Sequence, residues 1–335
     1  MTSRDLVRQS LEFASPPRVP RQLWLLPWAT DHYPDAVRKI QTRFPDDIVT
    51  APAHYRKPPR TAGDPYVPGT FVDEWGCLFE NRLRGVIGEV KEPLLKTWQD
   101  VDQVRVPTEL LSVDVKRVNA FCRHTDKFVL AGSCPRPFER LQFIRKTENL
   151  LVDLMDQPEE LFVLLHRVHQ FYLEELELWA STAVDALTFM DDWGAQRALL
   201  VSPALWRRLF KPLCKDYIDL AHSHSKYTFM HSDGYIMDII PDLIELGLDA
   251  LNAQIFCMGV ENLGQRFRGK ITFWGEIDRQ DILPFGTAPE VVNAVRKVKE
   301  ALYQDGGVIA QCEFGPGARP ENVYLVFKAW EDLSV

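Results

Sequence analysis

Short apolar segments recur along the chain, and longer segments with helical spacing separate them. This alternation is typical of parallel strands that are joined by helices. The pattern predicts eight strands, which is the number in a closed (β/α)8 barrel, so we expect an α/β fold of the TIM-barrel class. The predicted strands are residues 22–27, 47–51, 128–133, 186–190, 227–231, 250–255, 271–276 and 308–312.

The segments between the strands carry helix signals. Residues 148–179 have a leucine stripe that predicts one long helix, and Ser202 followed by Pro203 predicts the start of another. Gly247 predicts a helix end. Residues 64–90 do not continue the alternation of strands and helices. We expect them to form an antiparallel excursion after the second strand, with arms at 71–76 and 85–88. Because no linker rich in Gly, Ser or Pro divides the chain, a single domain over residues 1–335 is predicted.

Polar side chains follow the ends of the predicted strands. In a barrel of parallel strands all carboxyl ends meet at one mouth, which is where such folds place their chemistry. A packed core does not require this concentration of acids. The concentration therefore predicts a catalytic or metal site. The residues at or just past the strand ends are Asp191, Asp192, His231, Asp233, Gln254, Glu276, Cys312 and Glu313.

His231 and Asp233 are the strongest candidates for a metal site. Residues two apart on an extended strand share a face, so both side chains can reach one ion. Imidazole, carboxylate and thiolate all ligate zinc, and the prediction is that His231, Asp233 and Cys312 hold one Zn²⁺. The remaining acids, Asp191, Asp192, Glu276 and Glu313, are predicted to act as acid-base groups, and one of the aspartates is a candidate fourth ligand.

Each of these residues also has a purely structural interpretation. A lone histidine on a strand often bonds a carbonyl group in the core. Cys312 fits an ordinary buried thiol. Asp191 and Asp192 precede Trp193 and Gly194, which is also the arrangement of an Asx turn that caps a helix.

Composition excludes several classes of function. The chain has 335 residues, 46% hydrophobic and 26% charged, with a formal net charge of -8 and interspersed positive charges. That distribution predicts neither a nucleic-acid face nor an anionic-membrane face. No apolar window is long enough to span a membrane, and residues 1–10 lack the apolar core of a signal peptide, so a cytoplasmic protein is expected. Six cysteines without CxxC pairs argue against a disulfide framework.

Several motifs occur in a fixed order along the chain. With them the chain resembles the uroporphyrinogen decarboxylase superfamily from about Arg18 to the C-terminus, and the resemblance implies a (β/α)8 barrel. The motifs are Phe138-Glu139-Arg140, Glu148-Asn149-Leu150-Leu151-Val152-Asp153-Leu154, Asp156-Gln157-Pro158-Glu159, Asp191-Asp192-Trp193-Gly194, Lys211-Pro212, His231-Ser232-Asp233-Gly234 and Pro284-Phe285-Gly286-Thr287.

The superfamily contains porphyrinogen decarboxylases and zinc-dependent methyltransferases that work with a corrinoid protein. In the methyltransferases the zinc ligands form a His-x-Cys-Gly motif and a late Cys ten residues before an Asn. His231 matches that histidine, Asp233 stands at the first cysteine, and Cys312 precedes Asn322 by ten positions. The decarboxylase motifs Arg-Gln-Ala-Gly-Arg-Tyr and Gly-His-Gly are not intact, since Arg21-Gln22 continues as Leu23-Trp24 and Cys312 takes the place of the late histidine.

The resemblance implies a zinc-dependent methyltransferase that moves a methyl group between a small molecule and a corrinoid carried by a partner protein. Aspartate in place of a thiolate keeps the ligand charge but makes the zinc harder, which favours an oxygen-bearing methyl donor. The alternative is a decarboxylase-like lyase that uses acid-base carboxylates without metal, and a barrel that binds a ligand without turnover is a third interpretation. An acidic mouth disfavours a substrate with many carboxylates.

Overall fold

Eight parallel strands form a nearly closed barrel in the computed structural model, which describes residues 1–333. Their order around the barrel is β1-β11-β10-β9-β8-β7-β6-β2, and β3, β4 and β5 form a separate antiparallel sheet. All eight predicted strands are therefore confirmed. The strands are β1 Arg21–Leu25, β2 Ile48–Thr50, β3 Gly69–Val72, β4 Leu78–Asn81, β5 Glu89–Val90, β6 Phe128–Leu130, β7 Ala186–Met190, β8 Tyr227–Ser232, β9 Ala250–Ala253, β10 Thr272–Trp274 and β11 Val308–Phe314.

Helices surround the barrel, and two 3-10 helices, Trp98–Gln103 and Thr108–Ser112, lie in the connection before β6. The helices are α1 Ser3–Leu11, α2 Pro27–His32, α3 Pro34–Arg43, α4 Val115–Arg123, α5 Pro137–Arg145, α6 Thr147–Asp156, α7 Glu159–Ala180, α8 Pro203–Leu209, α9 Lys211–Ser223, α10 Ile240–Leu246, α11 Ile255–Met258, α12 Val260–Phe267, α13 Ile282–Phe285, α14 Ala288–Leu302 and α15 Pro320–Asp332.

Side-chain hydrogen bonds, together with one backbone bond from the Asp47 N–H to the Arg21 carbonyl, bridge the seam between β1 and β2 in place of a strand ladder. The backbone N–H of Leu23 donates to the Asp46 carboxylate at 2.7 Å, and that of Arg21 donates to the Asp47 carboxylate at 2.9 Å. Arg18 adds a bidentate ion pair to Asp47, with both bonds at 2.7 Å. These bonds satisfy strand-edge groups that the open seam would otherwise leave without partners.

Helix α1 packs against the barrel interior at the amino ends of the strands. Val7 and Leu11 of this helix belong to the same buried cluster as interior residues of the strands, among them Phe128, Phe229 and Ile309. The backbone N–H of Arg4 also donates to the carbonyl of Asp126, which precedes β6. Since α1 closes the amino ends of the strands, the carboxyl ends form the open mouth, as a barrel of this class requires.

Two details differ from the sequence predictions. The predicted helix over 148–179 is two helices, because Gln157 is left-handed at φ 53° and Pro158 cannot continue the α6 hydrogen-bond ladder. The excursion after the second strand is antiparallel as predicted, but its pairing is β3 with β4 and β4 with β5. The predicted arm over 85–88 is therefore wrong, since those residues lead into the short strand β5.

Other predictions are confirmed by local structure. Ser202 caps α8 by accepting a hydrogen bond from the Leu205 N–H at 3.2 Å, and Gly247 ends α10 in the left-handed conformation. All six cysteines are free thiols. No helix within residues 1–333 is long and apolar enough to cross a membrane.

Candidate functional site

Three potential metal ligands lie together where β7 and β8 open into the mouth. His231 Nε2 is 3.5 Å from Asp192 Oδ1 and 3.6 Å from Asp233 Oδ1. One ligand atom from each residue lies within 4.8 Å of the others, and all three side chains are half-buried. The structure therefore brings together two of the three predicted zinc ligands, His231 and Asp233, and adds Asp192 to them.

His231 is held in one orientation by a hydrogen-bond chain. Its Nδ1 lies 2.6 Å from the side-chain oxygen of Asn252, and the side-chain amide of Asn252 donates to the carbonyl of Trp274. Because the Asn252 amide group is committed to that carbonyl, its oxygen faces the imidazole and Nδ1 must be the protonated nitrogen. The lone pair of Nε2 is then directed at the two aspartates, which is the tautomer that metal-ligating histidines adopt.

The loops after β7 and β8 are locked to each other. Asp192 Oδ1 accepts a hydrogen bond from the backbone N–H of Asp233 at 3.0 Å, and the Gly194 N–H donates to the Asp233 carbonyl at 3.1 Å. Gly194 and Gly234 pass so closely that a Cβ on Gly234 would lie 2.1 Å from the Gly194 carbonyl oxygen. The close backbone contact fixes both aspartates relative to His231.

Arg279 is the main residue of the mouth that the sequence analysis missed. It is ion-paired with Asp233, and its guanidinium lies 3.5 Å from Glu276 and 3.3 Å from Glu313. One cation therefore contacts three of the predicted acids. The signal that points to it is the acidic mouth itself, which requires a counter-charge, together with the i, i+3 spacing from Glu276.

Glu276 and Glu313 lie at the mouth as predicted, and Glu276 is the more deeply buried. Burial raises the pKa of the Glu276 carboxyl to about 8, with Arg279 opposing the effect and Asp233 adding to it. Its Oε2 atom has no hydrogen-bond partner among the described residues, and neither has Oδ1 of Asp233. Two buried oxygen atoms in this mouth are thus left without a donor from residues 1–333.

Cys312 does not join the cluster. Residues 309, 311 and 313 of β11 face the barrel interior, since Ile309 packs in the interior cluster, and alternation directs Cys312 to the opposite face. Its thiol is fully buried in the layer between barrel and helices, where burial raises its pKa. The expectation that Cys312 meets His231 and Asp233 is wrong for this structure, and the core-thiol interpretation describes it.

Asp191 also faces away from the interior. Its carboxylate accepts hydrogen bonds from the backbone N–H groups of Phe138 and Glu139 at 3.0 and 2.8 Å, and these residues open α5. Burial raises its pKa well above the usual value. The capping interpretation therefore fits Asp191, whereas its neighbour Asp192 points into the mouth.

Comparisons with known proteins are consistent with this architecture. The sequence profile of the family described as Uroporphyrinogen decarboxylase (URO-D) matches residues 76–333. A solved methyltransferase from Methanosarcina mazei superposes with a TM-score of 0.73 at 15% identity, and 99% of each chain is covered. That similarity shows a shared fold.

Two other solved structures are much less similar. A dihydropteroate synthase of Xanthomonas albilineans has a TM-score of 0.27 at 13% identity, with 45% of this chain and 52% of that one covered. A D-psicose 3-epimerase has a TM-score of 0.36 at 10% identity, with 70% and 84% covered. Both TM-scores are low, and no curated protein matches the sequence. The profile match over most of the chain, on a barrel with a polar mouth, shows that this protein belongs to the uroporphyrinogen decarboxylase family.

Proposed function

We propose that the protein is a methyltransferase that holds one zinc ion through His231, Asp233 and Asp192 and exchanges a methyl group with a corrinoid on a partner protein. The observation that carries the proposal is the cluster itself, in which three ligand atoms lie within 4.8 Å of one another. The fold shared with the Methanosarcina mazei methyltransferase supports the choice of reaction class.

The donor set fits a divalent cation. Oδ1 of Asp233 is buried without a hydrogen-bond partner among residues 1–333, and it faces Nε2 of His231 at 3.6 Å. The proton of His231 is committed to Asn252 on the other side of the ring. An imidazole lone pair and two carboxylates are ligands that zinc accepts in catalytic sites, where a further position stays open for substrate.

The ligand set also favours a class of methyl donor. Bound zinc would act as a Lewis acid toward a heteroatom of the small molecule. One imidazole and two carboxylates without a thiolate make a hard site, which prefers oxygen over sulfur. An oxygen-bearing methyl donor is therefore the substrate class that fits.

Glu276 is suited to supply a proton to the departing oxygen. Its carboxyl group lies on the same side of the mouth as Asp233, since Arg279 contacts both. Burial raises its pKa to about 8, so the group holds its proton at neutral pH. A general acid with a pKa near the working pH is the efficient one.

Elemental analysis of protein purified without chelators or a histidine tag, and then offered zinc, tests the metal site. We expect about one zinc per chain in the wild type and in Cys312→Ala, and loss of zinc in His231→Ala and Asp233→Ala. Cys312→Ala is the matched control, because its thiol faces the helix layer.

A wild type without zinc would overturn the metal mechanism and favour the metal-independent lyase, with Glu276 as the first candidate for its general acid. A folded Cys312→Ala protein without zinc would restore the thiolate as a ligand. Methyl transfer itself is tested by mixing zinc-loaded protein with Co(I) cobalamin and methyl ethers, where conversion of the visible spectrum to that of methylcobalamin is expected.

Asn252 is predicted to tune zinc affinity without contacting the ion. Replacing it by leucine removes the acceptor of the His231 Nδ1 proton, and zinc affinity is expected to fall by roughly 10- to 100-fold. Asn252→Asp keeps the acceptor for Nδ1 but loses the amide donor to the Trp274 carbonyl, so its affinity should lie between those of the leucine variant and the wild type. Competition of each protein with a fluorescent zinc chelator measures the difference, and equal affinities for leucine and wild type would contradict the orienting role.

A further inference from the structure

A cavity lies between the β3-β4-β5 sheet and helix α7. Its volume is about 440 Å³. It adjoins a space of about 580 Å³ that reaches Asp192, and both share Phe79, Arg136 and Phe143 in their walls. A ligand in this cavity, here called the aromatic cavity, therefore lies next to a space that is lined by Asp192 of the ligand cluster.

Rings make up much of its wall. A cavity of about 150 Å³ lined by apolar side chains is enough to bind benzene. The aromatic cavity is several times larger, which leaves room for a substituted ring. Flat faces favour a flat ligand, because rings stack offset or edge to face at small separations. The rings in the wall belong to Tyr55, Phe71, Trp75, Phe79, Phe143 and Tyr172.

Two buried polar groups in the wall lack a hydrogen-bond partner among residues 1–333. Glu175 is 4% exposed, and within residues 1–333 Arg140 and Arg136 act on it only through their charge, without a hydrogen bond. Ser133 is also 4% exposed, and its hydroxyl lacks a hydrogen-bond partner among the same residues. Leaving such a group unsatisfied costs about 1–3 kcal/mol, so the fold alone does not account for them.

The cations that line the cavity are already paired. Arg140 is ion-paired with Asp73 and lies 3.3 Å from Glu74, and its guanidinium covers the Trp75 ring at 5.1 Å. Arg136 lies 3.2 Å from Glu139. An anionic ligand would meet these carboxylates, and a cationic ligand would meet the two guanidinium groups, so neither sign of charge is complemented.

We propose that the aromatic cavity binds a neutral aromatic molecule that carries a hydrogen-bonding oxygen, held by Glu175 and Ser133, with its reactive end toward Asp192. The assignment of the reactive end rests on the proposed methyl transfer. The binding preference does not, because none of the groups that define it is a zinc ligand.

Isothermal titration calorimetry with three single-ring probes tests the preference. Phenol is the neutral probe, benzoate the anion and benzylammonium the cation, each titrated at pH 7 into zinc-loaded and into chelator-treated full-length protein. We expect phenol to bind in both forms, and at least about tenfold more tightly than either charged probe, since a desolvated unpaired charge is costly. Glu175→Leu should weaken phenol binding about tenfold, whereas Glu175→Gln keeps a neutral hydrogen-bonding group and should bind phenol as the wild type does.

The outcomes separate this inference from the proposed function. Phenol binding with the expected order of probes, in protein that takes up no zinc, supports the aromatic cavity and overturns only the metal mechanism. Protein that binds zinc but takes phenol no better than benzoate or benzylammonium overturns the inference and leaves methyl transfer standing. Folded Glu175→Leu protein with unchanged phenol affinity would also overturn it.

Discussion

Replacing Gly234 by alanine is expected to lower the free energy of unfolding by roughly 3 to 5 kcal/mol and to abolish the proposed zinc binding. Gly234 has φ +78°, and its added Cβ would lie 2.1 Å from the Gly194 carbonyl oxygen and 2.3 Å from the carbonyl carbon. Both atoms belong to backbone, which cannot rotate away as a side chain can. The loop after β8 must therefore move, and Asp233 moves with it.

Gly247→Ala is the matched control for this substitution. Gly247 has φ +86°, close to the value at Gly234, but the nearest atom to an added Cβ is a ring carbon of His222 at 3.5 Å. Only the left-handed conformation is then penalised, at about 1–2 kcal/mol, and zinc should be retained. Urea unfolding followed by circular dichroism measures both variants. Equal losses in the two proteins would show that the contact between Gly194 and Gly234 is not a constraint.

The sequence predicts the barrel and the residues that cluster at its mouth, but not the partners of those residues, and the reason is physical. Parallel strands buried on both faces read as short apolar runs, and all their carboxyl ends converge. His231 and Asp233 follow directly from that rule, because they lie at i and i+2 at the end of one strand. Asp192 was named for the same reason, although its neighbour Asp191 could not be separated from it.

Cys312 shows where this reasoning stops. A strand that is apolar on both faces carries no alternation, so Val308, Ile309 and Ala310 do not reveal which parity faces the interior. Packing sets that parity: Ile309 lies in the interior cluster and Cys312 in the outer one. If the predicted parity is wrong by one residue, a side chain that was assigned to the mouth lies in the helix layer instead.

The partners of the site residues were missed because they come from other elements. Asn252 and Arg279 contact His231 and Asp233 only after the barrel closes. Glu175 did leave a signal, since it continues the apolar stripe of α7 between Tyr172 and Trp179, both of them buried. A carboxylate in an apolar stripe conflicts with the pattern of the helix, because such groups are rarely fully buried. That conflict is the sequence signal for the aromatic cavity.

Replacing Glu175 by glutamine is expected to stabilise the protein at alkaline pH by roughly 5 kcal/mol. Burial raises the pKa of Glu175 from 4.5 to about 8, with Glu74 adding to the shift and Arg140 and Arg136 opposing it. The folded state therefore binds more protons than the unfolded state between these values. The stability of the wild type must fall as pH rises through that window and level off above about pH 8.

The glutamine variant has no carboxyl group to lose a proton, so its advantage over the wild type should be absent near pH 4.5, grow to about pH 8 and then stay constant. Chemical unfolding at a series of pH values measures this difference. Glu174→Gln, on the exposed side of the same helix, is the matched control and should follow the wild type. A constant difference between Glu175→Gln and wild type at every pH would mean that Glu175 stays ionised in the fold. The aromatic cavity would then present an anion, and its preference for neutral ligands would lose its electrostatic basis.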